Sequence, residues 1–217
     1  MAKIVLWGAT GQAKVLREAL EGSGIDIVAI VDSRQLVSPI AGVPILIGEA
    51  GLDAWLVKHE APATLLFAIA VGGASGTDRL KLYDLVQRRG LSAYTVVHRT
   101  AFVAADAQLG EGCQVLAKAA VCTHAKLGKV VIVNTAASVD HDCIVGDGVH
   151  VAPGARLAGE VSIGARAFVG IGAVVLPRLH VGEDAIVGAG AVVTRDVSAG
   201  ATVVGNPARV LRDVPGR

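Results

Sequence analysis

Aromatic residues are scarce in this chain: they make up 3% of the 217 residues, although hydrophobic residues as a whole make up 53%. Such a composition suits a narrow core of aliphatic residues and alanine, into which large rings would not fit. The chain has three cysteines, Cys113, Cys122 and Cys143. They are too few and too irregularly spaced for a disulfide framework.

Strong net charge and long apolar segments are also missing. A net charge of +1 gives no sign of a nucleic-acid surface or a polybasic membrane patch. No apolar run reaches the length of a membrane span, and the N-terminus lacks a charged-then-apolar signal segment. We therefore expect a cytoplasmic protein with small-molecule partners, without a nucleic-acid partner or a membrane span.

What the chain does contain is a repeat of six residues. A branched aliphatic residue returns at every sixth position, at Val103, Leu109, Val115, Val121, Leu127, Val133, Val139, Val145, Val151, Leu157, Ile163, Val169, Val175, Val181, Val187 and Val193. A small residue usually stands four positions further on, as at Ala107, Cys113, Ala119, Ala125, Ala137, Cys143, Ala155, Ala167, Ala173, Ala185 and Ala191. Glycine often follows the aliphatic residue directly, as at Gly110, Gly128, Gly146, Gly164, Gly170, Gly182 and Gly188.

A period of six fits neither an α-helix nor one long strand. It fits a coil of short strands joined by tight turns, with one aliphatic side chain per strand pointing inward. This is the pattern of the left-handed parallel β-helix, a triangular prism with three hexapeptides per coil. The alternative is an ordinary β-sandwich with fortuitous spacing. We expect the small residues, Cys113 and Cys143 included, to fill the core, and the glycines to supply backbone freedom at the turns.

The first hundred residues follow a different plan, in which apolar runs alternate with helical segments. The predicted elements are a strand at 3–7, a helix to about residue 21, strands at 26–31 and 65–71, a helix at 76–89 and a short strand at 93–97. Alternating strands and helices with glycines at the strand ends indicate a small, Rossmann-like parallel α/β unit. The stretch His98–Phe102 then leads into the β-helix.

Glycines and an acidic residue mark the predicted strand ends of this unit. Gly8 and Gly11 stand between a strand and a helix, where backbone amides and the helix dipole favour a phosphate. Asp32 closes the second strand, a position suited to a ribose or a base, and Gly72 follows the third. The spacing is not the full dinucleotide fingerprint, so a mononucleotide or nucleotide sugar is favoured. The alternative is a plain tight connection.

One segment of the repeat has unusual polar chemistry. His141 lies at the third position of its hexapeptide, on an outward surface or turn, and Asp142 follows it. A carboxylate beside an imidazole can fix its tautomer and raise its basicity. Asn134 and His150 fall within one coil of this pair. The alternative is a solvated histidine among surface charges.

The chain as a whole resembles the bacterial nucleotide-sugar N-acetyltransferases of the hexapeptide superfamily, the group that includes sialic acid O-acetyltransferase-like proteins. The similar segments are GATGQAKV, VGG at the third strand, NTAASVDHDCIVGDGVHVAPGA, GIGAVVLP and VVGNPAR. The resemblance implies a homotrimer of glycan biosynthesis, with acetyl-CoA as co-substrate, no metal, and acetyl-CoA lying between neighbouring β-helices. It implies a nucleotide-sugar domain at 1–98 and an acetyl-CoA-binding β-helix at 99–217.

The resemblance also assigns residues. It makes His141 the catalytic base and Asp142 its acidic neighbour. The implied cofactor-binding residues are Asn134, His150, Gly159, Ile171 and Ala189, and the implied substrate-binding residues are Gly8, Thr10, Gly11, Gln12, Asp32, Ser33 and Gly72. Two positions depart from the family, which can have glycine in place of Ala189 and often has histidine in place of Gln12. Glutamine can form hydrogen bonds but does not titrate near neutral pH.

The activity expected on these grounds is acetyl transfer to a sugar amine. The favoured acceptor is the C4 amine of a 4-amino-4,6-dideoxy sugar, such as perosamine, linked to UDP or GDP. His141 would accept the proton, and a backbone amide or His150 would stabilise the oxyanion. An O-acetyltransferase acting on a sugar hydroxyl is the first alternative. A zinc hydratase with His124, His141 and His150 as ligands is a second, and a non-catalytic nucleotide-binding scaffold is a third.

Overall fold

The computed structural model describes residues 1–59 and 64–211. Residues 60–63 of the predicted N-terminal domain and 212–217 of the predicted β-helix domain lie outside the described residues. Among the described residues, no helix has the length and apolar character needed to cross a membrane.

The N-terminal unit is a five-stranded parallel sheet with helices on both faces. Its elements are β1 (Ala2–Trp7), α1 (Gly11–Ala19), β2 (Ile25–Asp32), β3 (Ile45–Ile47), α2 (Gly48–Lys58), β4 (Leu66–Ile69), α3 (Gly76–Gln87) and β5 (Ser92–Ala93). The strand order is β3-β2-β1-β4-β5. The predicted α/β class is confirmed; β3 and α2 come in addition to the predicted elements.

Alternation along β1 divides the core between the two faces of the sheet, because successive side chains of a strand point to opposite sides. Ile4 and Leu6 pack in one cluster with α1 and with Ile132 of the β-helix. Val5 and Trp7 pack in a second cluster with residues of α2 and α3. The sheet is therefore buried on both faces, and one of them is shared by α1 and the β-helix.

The β-helix is a stack of two-residue strands with one longer strand near its end. Its strands are β6 (Val96–Val97), β7 (Phe102–Val103), β8 (Gln108–Leu109), β9 (Gln114–Val115), β10 (Ala120–Val121), β11 (Lys126–Leu127), β12 (Ile132–Val133), β13 (Ser138–Val139), β14 (Ile144–Val145), β15 (His150–Val151), β16 (Arg156–Leu157), β17 (Ser162–Ile163), β18 (Phe168–Val169), β19 (Val174–Val175), β20 (His180–Val181), β21 (Ile186–Val187), β22 (Val192–Val193), β23 (Thr202–Val204) and β24 (Arg209–Val210). This confirms the predicted left-handed β-helix.

The strands form three sheets, which we call faces one, two and three. Face one runs β6-β9-β12-β15-β18-β21-β23-β24, face two β7-β10-β13-β16-β19-β22, and face three β8-β11-β14-β17-β20. We call the turns between faces the first edge (one to two, for example 134–137), the second edge (two to three, 140–143) and the third edge (three to one, 146–149). The predicted strand at 93–97 is divided, because β5 pairs in the α/β sheet and β6 in face one.

The repeat determines which side chains enter the prism. From β7 to β22 the second residue of each strand is the sixth-position aliphatic residue, and these residues form one core together with the small residues of the turns. Cys113 and Cys143 are fully buried there, and burial raises their thiol pKa values to about 12 and about 11. These two thiols therefore stay protonated and poorly reactive.

The glycines that follow the aliphatic residues have a different role from the predicted one. They do not have positive φ angles; the left-handed residue comes two positions later, as at Arg166 and Asp184. What these glycines supply is space between coils: a Cβ at Gly164 would lie 2.4 Å from the backbone nitrogen of Glu183. The expectation that these glycines supply backbone freedom was wrong. Glycine is needed there because the next coil comes too close to leave room for a side chain.

We expect Gly164→Ala to lower the free energy of unfolding by about 2 kcal/mol, because the clash is with backbone atoms that cannot move aside. Chemical denaturation would measure the change. Gly172→Ala is the matched control, since Gly172 has a φ of +65° but open space around its Cβ position. There we expect a loss of about 1 kcal/mol, the strain of a left-handed alanine. An equal or smaller loss at Gly164 would contradict this account of the glycines.

Candidate active site

A cleft opens at the carboxyl ends of β1, β2 and β4, where ligands bind in open α/β sheets. It has a volume of about 430 Å³ and is lined by Gly8, Thr10, Gly11, Gln12, Asp32, Arg34, Ala70, Val71, Gly72 and Gly73. An adjoining cleft of about 450 Å³ is lined by Ser33, Asp78 and Lys81 among others. The structure thus brings together all seven predicted substrate-binding residues.

Glycine is required at position 8. Gly8 has a φ of +115°, and a Cβ there would lie 2.3 Å from the carbonyl oxygen of Ala70. Thr10 then occupies the N-cap of α1 without forming a side-chain capping hydrogen bond. The first turn of the helix therefore keeps N–H groups that can receive an anion.

Asp32 does not have free oxygens for a ribose or a base. Its Oδ1 accepts hydrogen bonds from the backbone nitrogen and Nε of Arg34, and its Oδ2 accepts from Ala9 N and Arg34 Nη2. Burial tends to raise the Asp32 pKa, but the bonds from Arg34 and Ala9 together hold it below its usual value. Four donors fill the lone-pair positions of the carboxylate, so the predicted direct contact with a nucleotide would have to displace one of them.

Arg34 is the residue of this cleft that the sequence reasoning missed. Its guanidinium is held by Asp32, yet its side chain is 62% exposed and lines both clefts. Its position two residues after Asp32 is a local signal that could have identified it, because aspartate often bonds to backbone two residues on. A fixed cation at the rim suits a ligand that carries phosphate.

His150 is buried at the inner end of the cleft, where the α/β unit meets face one. Its Nδ1 lies 3.1 Å from the carbonyl oxygen of Gly73, and its Nε2 lies 3.0 Å from Nδ2 of Asn134. Since a carbonyl only accepts, Nδ1 bears the proton and Nε2 accepts from the amide. Burial and the nearby Arg79 cation lower the pKa of His150 to about 4, so the ring is neutral at pH 7.

This geometry corrects one predicted role. The single N–H of neutral His150 points at Gly73, and its free lone pair is used by Asn134. His150 is therefore not free to donate to an oxyanion, which leaves a backbone amide for that task. Whether His150 and Asn134 contact the acetyl donor stays a prediction.

Arg79 ties the loop after β4 to the β-helix. The side chain is fully buried; its Nη1 donates to the carbonyls of Val71 and Gly73, and its Nη2 donates to the carbonyl of Gly148 on the third edge. Burial lowers its pKa to about 10, so it keeps its charge at pH 7. The guanidinium thus fixes the loop that contains Gly72 and Gly73 against the turn beside His150.

His141 and Asp142 lie elsewhere, on the second edge of the prism. Nδ1 of His141 lies 2.8 Å from Oδ2 of Asp142, and the imidazole is 48% exposed. Because the carboxylate only accepts, the proton sits on Nδ1 and the lone pair of the neutral ring is on Nε2. The bond to Asp142 raises the pKa of His141 above its usual value; partial desolvation opposes this shift, and the charges of Asp140, Asp142 and Glu160 add smaller contributions that raise the pKa.

Gly159 lies one coil below His141 and provides the space for its ring. A Cβ at Gly159 would lie 2.3 Å from Nε2 of His141. Gly159 is thus placed beside the basic nitrogen, which is where a small acetyl group would have to approach. The other residues predicted to bind the cofactor, Asn134, Ile171 and Ala189, belong to the first edge.

The predicted residues therefore form separate groups within one chain. The cleft, Gln12 and His150 lie beside face one, whereas His141 and Gly159 lie on the edge between faces two and three. The zinc alternative fails on the same geometry, because both nitrogens of His150 are engaged and it is remote from the edge that holds His124 and His141. Among the described residues there is no cluster of three side chains able to hold a metal ion.

A left-handed hexapeptide prism with an exposed histidine–aspartate pair and an α/β unit with a cleft at its strand ends define an acyltransferase of the hexapeptide-repeat class. The family model "Bacterial transferase hexapeptide (six repeats)" matches residues 160–195. A comparison with curated protein sequences gives no match.

Solved structures identify the family within this class. The H141N mutant of perosamine N-acetyltransferase from Caulobacter crescentus, in complex with CoA and GDP-perosamine, is 35% identical over 98% of each chain, with a TM-score of 0.90. The acetyltransferase domain of PglB from Neisseria gonorrhoeae is 34% identical over 97% of this chain and all of that one, with a TM-score of 0.86. WeeI from Acinetobacter baumannii is 32% identical over 97% of this chain and 100% of that chain, with a TM-score of 0.82. The chain belongs to the nucleotide-sugar N-acetyltransferases of the hexapeptide superfamily.

We expect His141 to titrate above its usual pKa and Asp142→Asn to shift that titration to lower pH, because the charged hydrogen-bond partner is lost. Proton NMR of the imidazole Cε1–H would measure the midpoint, with the resonance assigned by its loss in His141→Gln. The control is Asp184→Asn, which removes the same charge from the third edge and should leave the His141 midpoint unchanged. Equal shifts in the two variants would refute the pairing.

Proposed function

We propose that the protein transfers the acetyl group of acetyl-CoA to the C4 amine of a 4-amino-4,6-dideoxy sugar carried by GDP or UDP. The observation that carries this proposal is the His141–Asp142 pair: Nδ1 is held by Asp142, and Nε2 lies beside Gly159 and has no hydrogen-bond partner among the described residues. The bound CoA and GDP-perosamine of a structure 35% identical to this chain support the substrate class and make the GDP-linked sugar the first candidate. Since acetyl-CoA and sugar nucleotides are cytoplasmic metabolites, a cytoplasmic role in glycan biosynthesis follows from the same proposal.

The mechanism requires a base, because an ammonium group has no lone pair with which to attack a thioester. The ammonium loses one proton to solvent, and Nε2 of His141 accepts a second proton from the amine as it attacks. Asp142 stabilises the imidazolium through Nδ1–H. The amine nitrogen forms a bond to the thioester carbonyl carbon, and the tetrahedral intermediate collapses with cleavage of the carbon–sulfur bond. The imidazolium then returns its proton to the departing CoA thiolate. No acyl-enzyme is needed.

The charges around His141 favour an amine over a hydroxyl acceptor. Asp140, Asp142 and Glu160 all act on the imidazole. This negative field attracts an ammonium substrate and stabilises the imidazolium that forms, whereas a neutral sugar hydroxyl gains nothing from it before reaction. The field also raises the pKa of the base, so turnover should fall as the pH drops through the elevated His141 pKa.

The division of residues within one chain supports a homotrimer with its sites between protomers. His141 and Gly159 lie on the second edge, and Asn134, Ile171 and Ala189 lie on the first, where Ile171 is 60% exposed. In a three-fold ring the second edge of one prism can face the first edge and the cleft of its neighbour. The acetyl donor would then lie between the two prisms. We keep residues 1–98 and 99–217 as the proposed nucleotide-sugar and acetyl-CoA domains.

We expect His141→Ala to lower kcat by roughly 100-fold or more, because it removes the general base. Release of CoA would be measured with GDP- and UDP-linked 4-amino-4,6-dideoxy sugars and with the matching 4-hydroxy sugars. The control is His180→Ala, an exposed histidine on face three, which should leave kcat unchanged. Turnover of His141→Ala near that of the wild type would overturn the assignment, and faster transfer to the hydroxyl sugars would favour O-acetylation.

Co-expression of two inactive variants tests the shared site. His141→Ala removes the base, and Gly11→Trp blocks the cleft from a position where an added Cβ meets no atom within 4 Å. If each site combines His141 of one protomer with the cleft of the next, every mixed trimer contains one intact site out of three and should have about a third of wild-type activity. Purified mixed trimers, separated by two affinity tags, would be assayed beside each single variant. Activity no higher than that of the single variants would place both halves in one chain.

A further inference from the structure

A hydrogen-bonded relay runs from the α/β sheet through the β-helix to the inner end of the cleft. It begins at the carbonyl oxygen of Ile69, the last residue of β4, which accepts from Nε2 of Gln114 at 2.7 Å. The Oε1 of Gln114 in turn accepts from Nε2 of Gln12, also at 2.7 Å. Gln114 is the outward residue of β9 on face one, and it is fully buried by the α/β unit.

Each amide in this relay can be oriented in only one way. A backbone carbonyl cannot donate, so the NH2 group of Gln114 must face Ile69 and its oxygen must face Gln12. The NH2 group of Gln12 must therefore face Gln114. This leaves Oε1 of Gln12 as the end of the side chain directed away from the relay, 3.5 Å from the point that a Cβ of Gly72 would occupy.

The neighbouring polar group does not compete for a ligand at this point. The Cε1 of His150 lies 3.8 Å from the same position at Gly72, but both ring nitrogens of His150 are engaged by Gly73 and Asn134. Glycine at position 72 leaves space beside the Gln12 oxygen. The inner end of the cleft thus presents a hydrogen-bond acceptor that does not titrate.

The inner end is also where a sugar has to lie if the proposed function holds. The fixed cation Arg34 stands on the side of Asp32 and Ser33, which suits the nucleotide, whereas Gln12, Gly72 and His150 adjoin the β-helix. The reacting part of the substrate must point toward the acetyl donor on the β-helix. Gln12 therefore faces the sugar.

We propose that Gln114 is a positioning residue that fixes the hydrogen-bond polarity of the sugar subsite: through Gln12 it presents an acceptor, so the sugar group bound there must be a donor. An amino or hydroxyl group satisfies this requirement. A carbonyl group at the same place would put its oxygen against Oε1 of Gln12, and two acceptors cannot form a hydrogen bond. The cleft therefore discriminates against oxo sugars. This inference rests on the proposed binding of a nucleotide sugar in the cleft.

The test compares Gln12→Leu, Gln114→Leu and the double variant. Calorimetry would give Kd for GDP, for a GDP-linked 4-amino-4,6-dideoxy sugar and for its 4-oxo counterpart. We expect the wild type to bind the amino sugar about tenfold more tightly than the oxo sugar, the preference typical of a polar site with a fixed partner. Gln12→Leu should nearly abolish this preference, and Gln114→Leu should reduce it to about threefold because the freed amide can turn. Binding of GDP alone should stay unchanged.

The double variant separates positioning from a purely structural effect. If Gln114 acts through Gln12, the double variant should match Gln12→Leu, whereas independent effects would add and overturn the proposal. Gln108→Leu, at the equivalent strand position on face three, is the matched control and should keep the full preference. Should Gln114→Leu fail to fold, Gln12→Leu still decides, because it leaves the Ile69–Gln114 bond in place; an unchanged preference in that variant would refute the inference.

The outcomes also distinguish this inference from the proposed function. A wild-type protein that binds the amino sugar selectively but transfers no acetyl group would refute the proposed function and uphold the polarity of the subsite. If the wild-type protein transfers acetyl groups but binds GDP and both sugars equally, the polarity of the subsite is refuted and the proposed function stands.

Discussion

The close approach of successive coils is the constraint on which this molecule depends. Parallel backbone hydrogen bonds join each two-residue strand to the strand eighteen residues later, as Val121 pairs with Val139. At that spacing only one aliphatic side chain per strand fits inside, and glycine is required at turns such as that of Gly164, where a Cβ would meet the backbone of the next coil. A shift of one residue would turn polar side chains into the core, so the register is unambiguous. The result is a rigid frame whose edges can hold polar groups in fixed positions.

The two halves of the proposed site use this frame in different ways. On the second edge, His141 is exposed, and its chemistry depends on Asp142 beside it and on the absence of a side chain at Gly159 below it. On face one, the outward residues Gln114 and His150 are covered by the α/β unit. Carbonyl oxygens at the end of β4 and in the following loop orient both side chains, because a buried amide or imidazole must satisfy the partner that it meets. Burial therefore turns ordinary outward positions into fixed polar groups.

The sequence predicted the prism well because a period of six over so many repeats has a single structural solution. It was less successful with glycine: the pattern showed where glycine recurs but not that coil contact, rather than backbone freedom, requires it. Asp32 was placed correctly at the end of β2, yet its oxygens are already filled by Arg34 and Ala9. His150 was predicted to bind the acetyl donor, which stays a prediction, but its engaged nitrogens exclude the oxyanion role. Each of these corrections depends on hydrogen-bond partners that a one-dimensional pattern does not specify.

The sequence by itself determined the α/β unit, the left-handed β-helix and the adjacency of His141 and Asp142, since these follow from periodicity and near neighbours. The acyltransferase family followed from the resemblance of the sequence motifs to known proteins. Only the tertiary structure decided that Gln12 is oriented by Gln114, that His150 is held neutral against Gly73 and Asn134, and that the cleft and His141 lie on different sides of one prism. Those contacts join residues far apart in the chain. Their donor and acceptor directions are settled only when folding brings a backbone carbonyl within reach of a side chain.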